Sequence, residues 1–229
     1  VTGGDSGDSI TLVDTDAINL GAITAASLDV TSVGDITDSG VLTVSGTTTL
    51  DNGTGTAITL DNANNFGTVT GGDSGDSINL VDTDAINLGA ITAASLDVTA
   101  VGDITDSGVL TISGTTTLAN GTGTAITLDN ANNFGTVTGG DSGDTITLVD
   151  TDAINLGAIT AASLDITSVG DITDSGTLTI SGTTTLANGT GTAITLDNAN
   201  NFGTVTGGDS GDSITLVDTD AINLGAITA

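Results

Sequence analysis

The chain has 229 residues, 29 aspartates and no lysine, arginine or histidine, so its formal net charge is −29. Without cationic side chains it has nothing to hold phosphate, and we expect no nucleic-acid partner. The absence of cysteine and histidine excludes thiolate and imidazole metal sites, as well as Ser–His and Cys–His nucleophiles. No apolar run is long enough for a membrane helix, so we expect no membrane insertion.

A single tandem repeat organises the sequence. The near-copies are residues 1–68, 69–136 and 137–204, with a partial fourth copy at 205–229. Equivalent positions exchange Val for Ile, as Val30 and Ile166 do, which is typical of a buried core. Because no capping repeat is visible, we predict that 1–229 is one continuous segment of a longer array.

Within a repeat, apolar residues alternate with polar ones at period two, and no helical period is sustained. The alternation predicts short strands separated by Gly, Asn, Asp and Ser turns. In chain order the runs of the second repeat are "DSINLV", "AINLGA", "VLTISG" and "TAITLD".

These strands divide into coils better than into globular units. Cuts after the turns place three successive coils at 85–108, 109–133 and 134–152. We therefore predict an all-β fold, a right-handed parallel β-helix (a β-solenoid) with three coils per repeat and about ten coils in the chain. A small β-sandwich domain per repeat is the alternative, but such domains usually bury a Trp or Tyr, and the chain has neither.

The segment "GDITDSGVLTVSGTTTL", followed by "TLDNANNFGTVT", resembles the tandem repeats of giant secreted bacterial surface proteins of the filamentous-haemagglutinin type. The resemblance covers the whole chain. It implies a right-handed β-helical fibre, on or outside the cell, that serves as an adhesin or as matrix and sheath material.

The acidic motif "GGDSGDSIN" at Gly71–Asn79 is similar to the calcium-binding nonapeptide repeats of secreted toxins. Its third glycine is one place late, and the motif occurs once in each repeat rather than in an unbroken series. A turn whose carboxylates accept backbone N–H bonds is the other interpretation.

A second argument for metal comes from the coil cut, which places "DTD", "DITDSG" and "LDNANN" at one corner of successive coils. Carboxylates stacked about 4.8 Å apart repel, and Ca²⁺ or Mg²⁺ suits an all-oxygen ligand set. The candidate metal ligands are Asp73, Asp76, Asp82, Asp84, Asp103, Asp106, Asp141, Asp144, Asp150, Asp152, Asp171 and Asp174. We expect no required cofactor, and diffuse stabilisation by Ca²⁺.

Ice binding and catalysis are two other functions that the sequence can be tested against. Rows of Thr on a β-helix can bind ice, but "TTT" marks only one predicted coil in three. Catalysis on acidic polysaccharides needs a base or cations, and the chain has no Arg or Lys, so we predict that it is not an enzyme.

The sequence thus predicts a non-catalytic, anionic, protease-resistant rod located outside the cell or on its surface. It would form a fibre, sheath or matrix filament by self-association. The alternative is a spacer stalk that presents an adhesin's binding domain. An extracellular polysaccharide or another surface is a further expected contact.

Overall fold

A computed structural model describes the whole chain, Val1–Ala229, as a parallel β-solenoid without helices. The predicted alternation explains each strand: in "TITLVD", Ile146 and Leu148 point into the core, while Thr145 and Thr147 face outwards. All 21 strands belong to one sheet. Strands pair in parallel with strands of the coils before and after them, as Thr145–Asp150 does with Ala125–Gly139 and Ser163–Ser168.

The strands β1 to β21 are, in order, Ser9–Val13, Ile18–Leu20, Ile23–Ala25, Ser27–Thr31, Ile36–Asp38, Leu42–Asp51, Ala57–Gly71, Ser77–Asp82, Ile86–Ala93, Ser95–Thr99, Ile104–Asp106, Leu110–Ala119, Ala125–Gly139, Thr145–Asp150, Ile154–Ala161, Ser163–Ser168, Ile172–Asp174, Leu178–Ala187, Ala193–Gly207, Ser213–Asp218 and Asn223–Ile227.

The coils are wound more tightly than predicted. Ile86 pairs with Ile104, which pairs with Ile126, so successive turns begin near 86, 104 and 126 rather than at 85, 109 and 134. The chain therefore completes about eleven turns. Gly at the corners allows this tighter winding, because a Cβ at Gly108 would collide with the backbone of Ala90 on the preceding coil.

Consequently one repeat spans three and a half turns, not three. Thr59 reaches its equivalent two repeats later, Thr195, after seven pairing steps. The equivalent in the intervening repeat, Thr127, lies about half a turn away. Successive repeats thus present the same surface alternately on two faces of the rod.

The core is a continuous stack of Ile, Leu, Val and Ala side chains that runs along the solenoid axis. The only aromatic rings, those of Phe66, Phe134 and Phe202, are each 1% exposed, so the core accommodates one ring per repeat. No helix in the structure is long and apolar enough to cross a membrane.

Candidate functional site

The acidic residues concentrate in the loop "GGDSGD" and in the corners after the strands, so these are the places to look for chemistry. In the loop that follows β7, the Asp76 side chain is completely buried. Its Oδ1 accepts the backbone N–H groups of Gly55 and Thr56, at 2.7 and 3.1 Å, and its Oδ2 accepts that of Asp73 at 2.7 Å. This carboxylate joins two loops of neighbouring coils.

The loop of the next repeat has the same construction. Asp144 is completely buried, and its carboxylate accepts the N–H groups of Gly123 and Asp141, both at 2.7 Å. Backbone amides in a loop carry partial positive charge, so they can hold a buried anion in a chain without cations. The interpretation of "GGDSGD" as a turn with backbone-bonded carboxylates is therefore confirmed for Asp76 and Asp144.

A second buried carboxylate lies at the corner that ends β8. Asp82 is 1% exposed and accepts the N–H of Phe66 at 2.7 Å and that of Asp84 at 2.8 Å. Burial raises the pKa of Asp82 to about 6, and the nearby Asp84 carboxylate adds to the rise, against the lowering effect of the two N–H donors. Asp150 repeats this arrangement with Phe134 and Asp152, and burial raises its pKa too.

Four of the predicted ligands bridge one coil to the next. Asp103 accepts the N–H of Ala125, and Asp171 accepts that of Ala193, both at 2.8 Å. Asp106 accepts the N–H of Asp129 at 3.0 Å and the amide group of Asn132 at 2.7 Å. The equivalent Asp174 makes the same contacts with Asp197 and Asn200. The "DITDSG" corner thus lies beneath the "LDNANN" corner, as the sequence suggested.

The remaining four predicted ligands are exposed, and each has one side-chain donor. Asp73 and Asp141 accept from the hydroxyls of Thr54 and Thr122. Asp84 and Asp152 accept from the amides of Asn65 and Asn133 at 2.8 and 2.9 Å.

All twelve predicted ligands therefore accept a hydrogen bond from the chain itself. The structure brings no group of three or more acidic side chains close enough to hold one ion. Calcium binding at these residues remains a prediction, and its most accessible ligands would be the exposed carboxylates.

Two rows of outward polar side chains run along the solenoid. The first threonine ladder passes through Thr11, Asp29 and Thr49 and continues, from Thr47 on the same strand, through Thr68, Asn87, Thr105, Thr127, Thr147, Asp165, Thr185 and Thr206. The second threonine ladder passes through Asn19, Thr37, Thr59, Asn79, Asp97, Thr117 and Thr138 and continues, from Thr136, through Asn155, Thr173, Thr195 and Thr215.

These ladders were missed at the sequence level, because a winding of three coils per repeat places "TTT" on one coil in three. The true winding brings other threonines into the same row, so Thr or Asn occupies all but two of the eleven levels of the first ladder. The signal was the outward Thr that recurs in almost every strand, as in "ITL" and "ITD".

Some buried polar atoms have no partner. The middle threonine of "TTT" points inward: Thr48, Thr116 and Thr184 are fully buried, and their hydroxyls make no hydrogen bond. Thr116 pairs with Leu96 below and Val137 above, so its hydroxyl lies among apolar side chains. A small apolar gap, with no room for a water molecule, lies between coils. It is lined by Leu118, Ile126, Val137, Thr138, Gly139, Ile146 and Ile159.

Three segments of the chain match a known family model. Residues 7–71, 75–139 and 143–207 each match the model of a family described as "Repeats of unknown function (DUF5649)". No curated protein and no solved structure matches the chain. The matched segments follow the period of the sequence repeat and together cover most of the chain.

Proposed function

We propose that this chain, which belongs to that family of repeats, is a structural segment of an extracellular fibre, sheath or matrix, where it acts as a stiff anionic rod. The observation that carries the proposal is the continuous parallel pairing of the coils. Both threonine ladders follow this pairing through eleven levels each, from the first repeat into the last. Each coil is bonded to both neighbours, so bending the rod would require the hydrogen bonds on one face to stretch.

Composition and burial support a persistent extracellular material. The chain has no lysine or arginine for trypsin to recognise, and the three phenylalanines that chymotrypsin could use are buried. It also lacks Cys, Met, Trp and Tyr, the side chains most easily oxidised.

The contacts of the aspartates also support a structural role. The buried carboxylates Asp76 and Asp82 accept backbone N–H groups from neighbouring coils, so they hold the coils together. The repeats would then be selected for the solenoid that they build.

The negative charge of the rod determines which ions surround it. About eleven coils at about 4.8 Å give a length of about 53 Å, so 29 carboxylates correspond to about 0.5 charge per Å. Duplex DNA carries about one charge per 1.7 Å, a similar density, and holds a cloud of counterions. Divalent cations around the rod are part of the proposal.

Localisation on cells tests the proposal. An antibody against one repeat, used for immunogold electron microscopy of the source cells, should label fibres or a layer outside the membrane. Digestion of intact cells with proteinase should leave the labelled material in place. Label confined to the cytoplasm would overturn the proposal, and label only at the base of a protruding domain would favour a spacer stalk.

A further inference from the structure

We propose that the three Asn-Gly pairs of the chain, Asn52–Gly53, Asn120–Gly121 and Asn188–Gly189, are sites of spontaneous conversion to aspartate and isoaspartate, and that the folded corner holds this reaction back. The inference concerns the chemical stability of the rod and does not depend on where the rod is located. It begins from a buried amide oxygen in each pair that the fold leaves without a hydrogen bond.

The pair occupies the same corner in every repeat, directly after the strand that contains "TTT". Only glycine fits its second position, because a Cβ at Gly121 would collide with the carbonyl oxygen of Val101 on the preceding coil. A residue without a side chain also leaves its backbone nitrogen unshielded. The N–H of Gly121 donates to no acceptor of the chain. The corner therefore places an uncommitted backbone nitrogen next to an asparagine side chain.

An asparagine followed by glycine can undergo a well-defined reaction, and asparagine is among the thermally labile residues. The glycine nitrogen loses its proton and attacks Cγ of the asparagine, which forms a cyclic imide, and the Cγ–Nδ2 bond breaks to release ammonia. Water then opens the imide. Addition of water at Cγ gives aspartate, and addition at the main-chain carbonyl carbon gives isoaspartate, which lengthens the backbone by one carbon atom.

In the closed corner two features oppose the attack. The Nδ2 of Asn120 donates to Oγ1 of Thr124 at 2.6 Å, and that hydroxyl donates to the carbonyl oxygen of Gly121, so the side-chain amide is fixed. The Oδ1 of Asn120 is buried and has no donor. The attack converts this oxygen into an oxyanion, and a buried oxyanion without a donor is strongly disfavoured. The closed corner thus lacks the donors that would stabilise the transition state.

The other two repeats have the same arrangement. Asn52 and Asn188 are 3% and 8% exposed, and they donate to the hydroxyls of Thr56 and Thr192 at 2.6 and 2.7 Å. Both Oδ1 atoms are buried without a partner. The protection is therefore a property of the corner and not of one copy. Each pair reacts only after a local opening exposes the amide to water.

The reaction changes the corner permanently. A carboxylate at position 120 has no N–H to donate to Thr124, and it would bury a charge at the oxygen that has no donor. Isoaspartate also displaces Gly121 from its place above Val101. A reacted corner is therefore destabilised, and the modified residues record the openings that a long-lived rod has undergone.

Prolonged incubation at mildly alkaline pH tests this, with mass spectrometry of elastase peptides prepared after unfolding. Electron-transfer fragmentation distinguishes isoaspartate from aspartate at each site. The same incubation in concentrated urea gives the rate of the open chain. Thr124→Val removes the hydroxyl that holds Asn120, and Thr124→Ser keeps it. Thr122→Val is the matched control, because that exposed hydroxyl bonds to Asp141 instead. The pairs in the other two repeats are references within the same molecule.

In urea the three pairs should react at similar rates, and in the folded wild type each should react at least about tenfold more slowly. Thr124→Val should speed the reaction about fivefold to tenfold at Asn120 alone, the effect of one lost hydrogen bond on a local opening. Thr124→Ser and Thr122→Val should react like the wild type. Equal rates in the folded and unfolded chain would overturn the proposal. So would a Thr124→Val variant that leaves Asn120 unchanged or accelerates all three pairs equally.

Discussion

Asp76 immediately precedes strand β8 and Asp82 is the last residue of that strand; both are almost completely buried, yet they are held differently. Asp76 is enclosed by three backbone N–H donors from two coils. Asp82 has two such donors and a second carboxylate, Asp84, beside it. The comparison shows how a chain without cations accommodates buried carboxylates: backbone N–H groups take the place of counter-ions.

The largest expected effect is the loss of the better-held carboxylate. Asp76→Ala leaves three backbone N–H groups without an acceptor, and we expect it to lower the free energy of unfolding by about 3–5 kcal/mol. Urea denaturation would measure the loss, and hydrogen exchange should show faster exchange at Gly55 and Thr56. Asp73→Ala, in the same loop but exposed, is the control and should cost less than about 0.5 kcal/mol. Equal losses in the two variants would contradict the comparison.

The second effect depends on pH. The pKa of Asp82 is about 6 in the folded chain, above the value of about 3.9 for an unfolded Asp, so the folded state binds the proton more tightly. This contribution to stability should therefore be fully present below about pH 4 and be lost as the pH rises from about 4 to about 6.

Asp82→Asn removes this contribution, because an amide does not ionise in that range. Its melting temperature should depend less on pH between 4 and 6 than that of the wild type. Thermal scans over this range would measure the difference, with Asp73→Asn as the control. Parallel curves for the wild type and Asp82→Asn would show that burial does not perturb this carboxylate.

A neutral buried group without any hydrogen-bond partner sharpens the comparison. The hydroxyl of Thr116 is buried without a partner, so Thr116→Val should raise the free energy of unfolding by about 1 kcal/mol. The neighbouring Thr115 is less buried, and Thr115→Val should change stability by less than about 0.5 kcal/mol. Urea denaturation of both variants would decide, and a destabilised Thr116→Val would mean that the hydroxyl has a partner in solution.

The smallest expected effect concerns metal ions. All twelve predicted ligands already accept hydrogen bonds from the chain, so Ca²⁺ should act mainly as a counterion around the exposed carboxylates. We expect millimolar Ca²⁺ and Mg²⁺, at matched ionic strength, to raise the melting temperature by similar small amounts relative to chelator. A much larger rise with Ca²⁺, reduced by Asp141→Asn, would demonstrate an ordered site.

Period-two patterning was enough to predict the fold class, since residues such as Ile146 and Leu148 can be buried together only on one face of a strand. The Val/Ile exchange at Val30 and Ile166 correctly marked core positions. The winding was not predictable in this way, because turns rich in Gly and Asp mark where strands end and not which strands pair. The half-turn per repeat depends on pairings such as Ile91 with Leu110, which only the three-dimensional structure reveals.

The surroundings of the carboxylates were also predictable only in part, because they too depend on which coils pair. The neighbouring Asp82 and Asp84 were recognisable as a pair in "DTD", and their closeness adds to the rise in the pKa of Asp82. One donor to Asp76 is the local Asp73 N–H, but the other two come from the loop of the preceding coil, at Gly55 and Thr56. No local motif connects these positions, because their contact depends on the length of the intervening coil.

Because one repeat spans three and a half turns, the shape of an array depends on whether it has an odd or an even number of copies. Adding one copy to an array preserves the core but rotates everything beyond it by about half a revolution. Adding two copies restores the original direction and lengthens the rod by seven coils, about 34 Å. Unequal recombination between near-identical copies would therefore change both the reach of the array and the side to which its far end is turned.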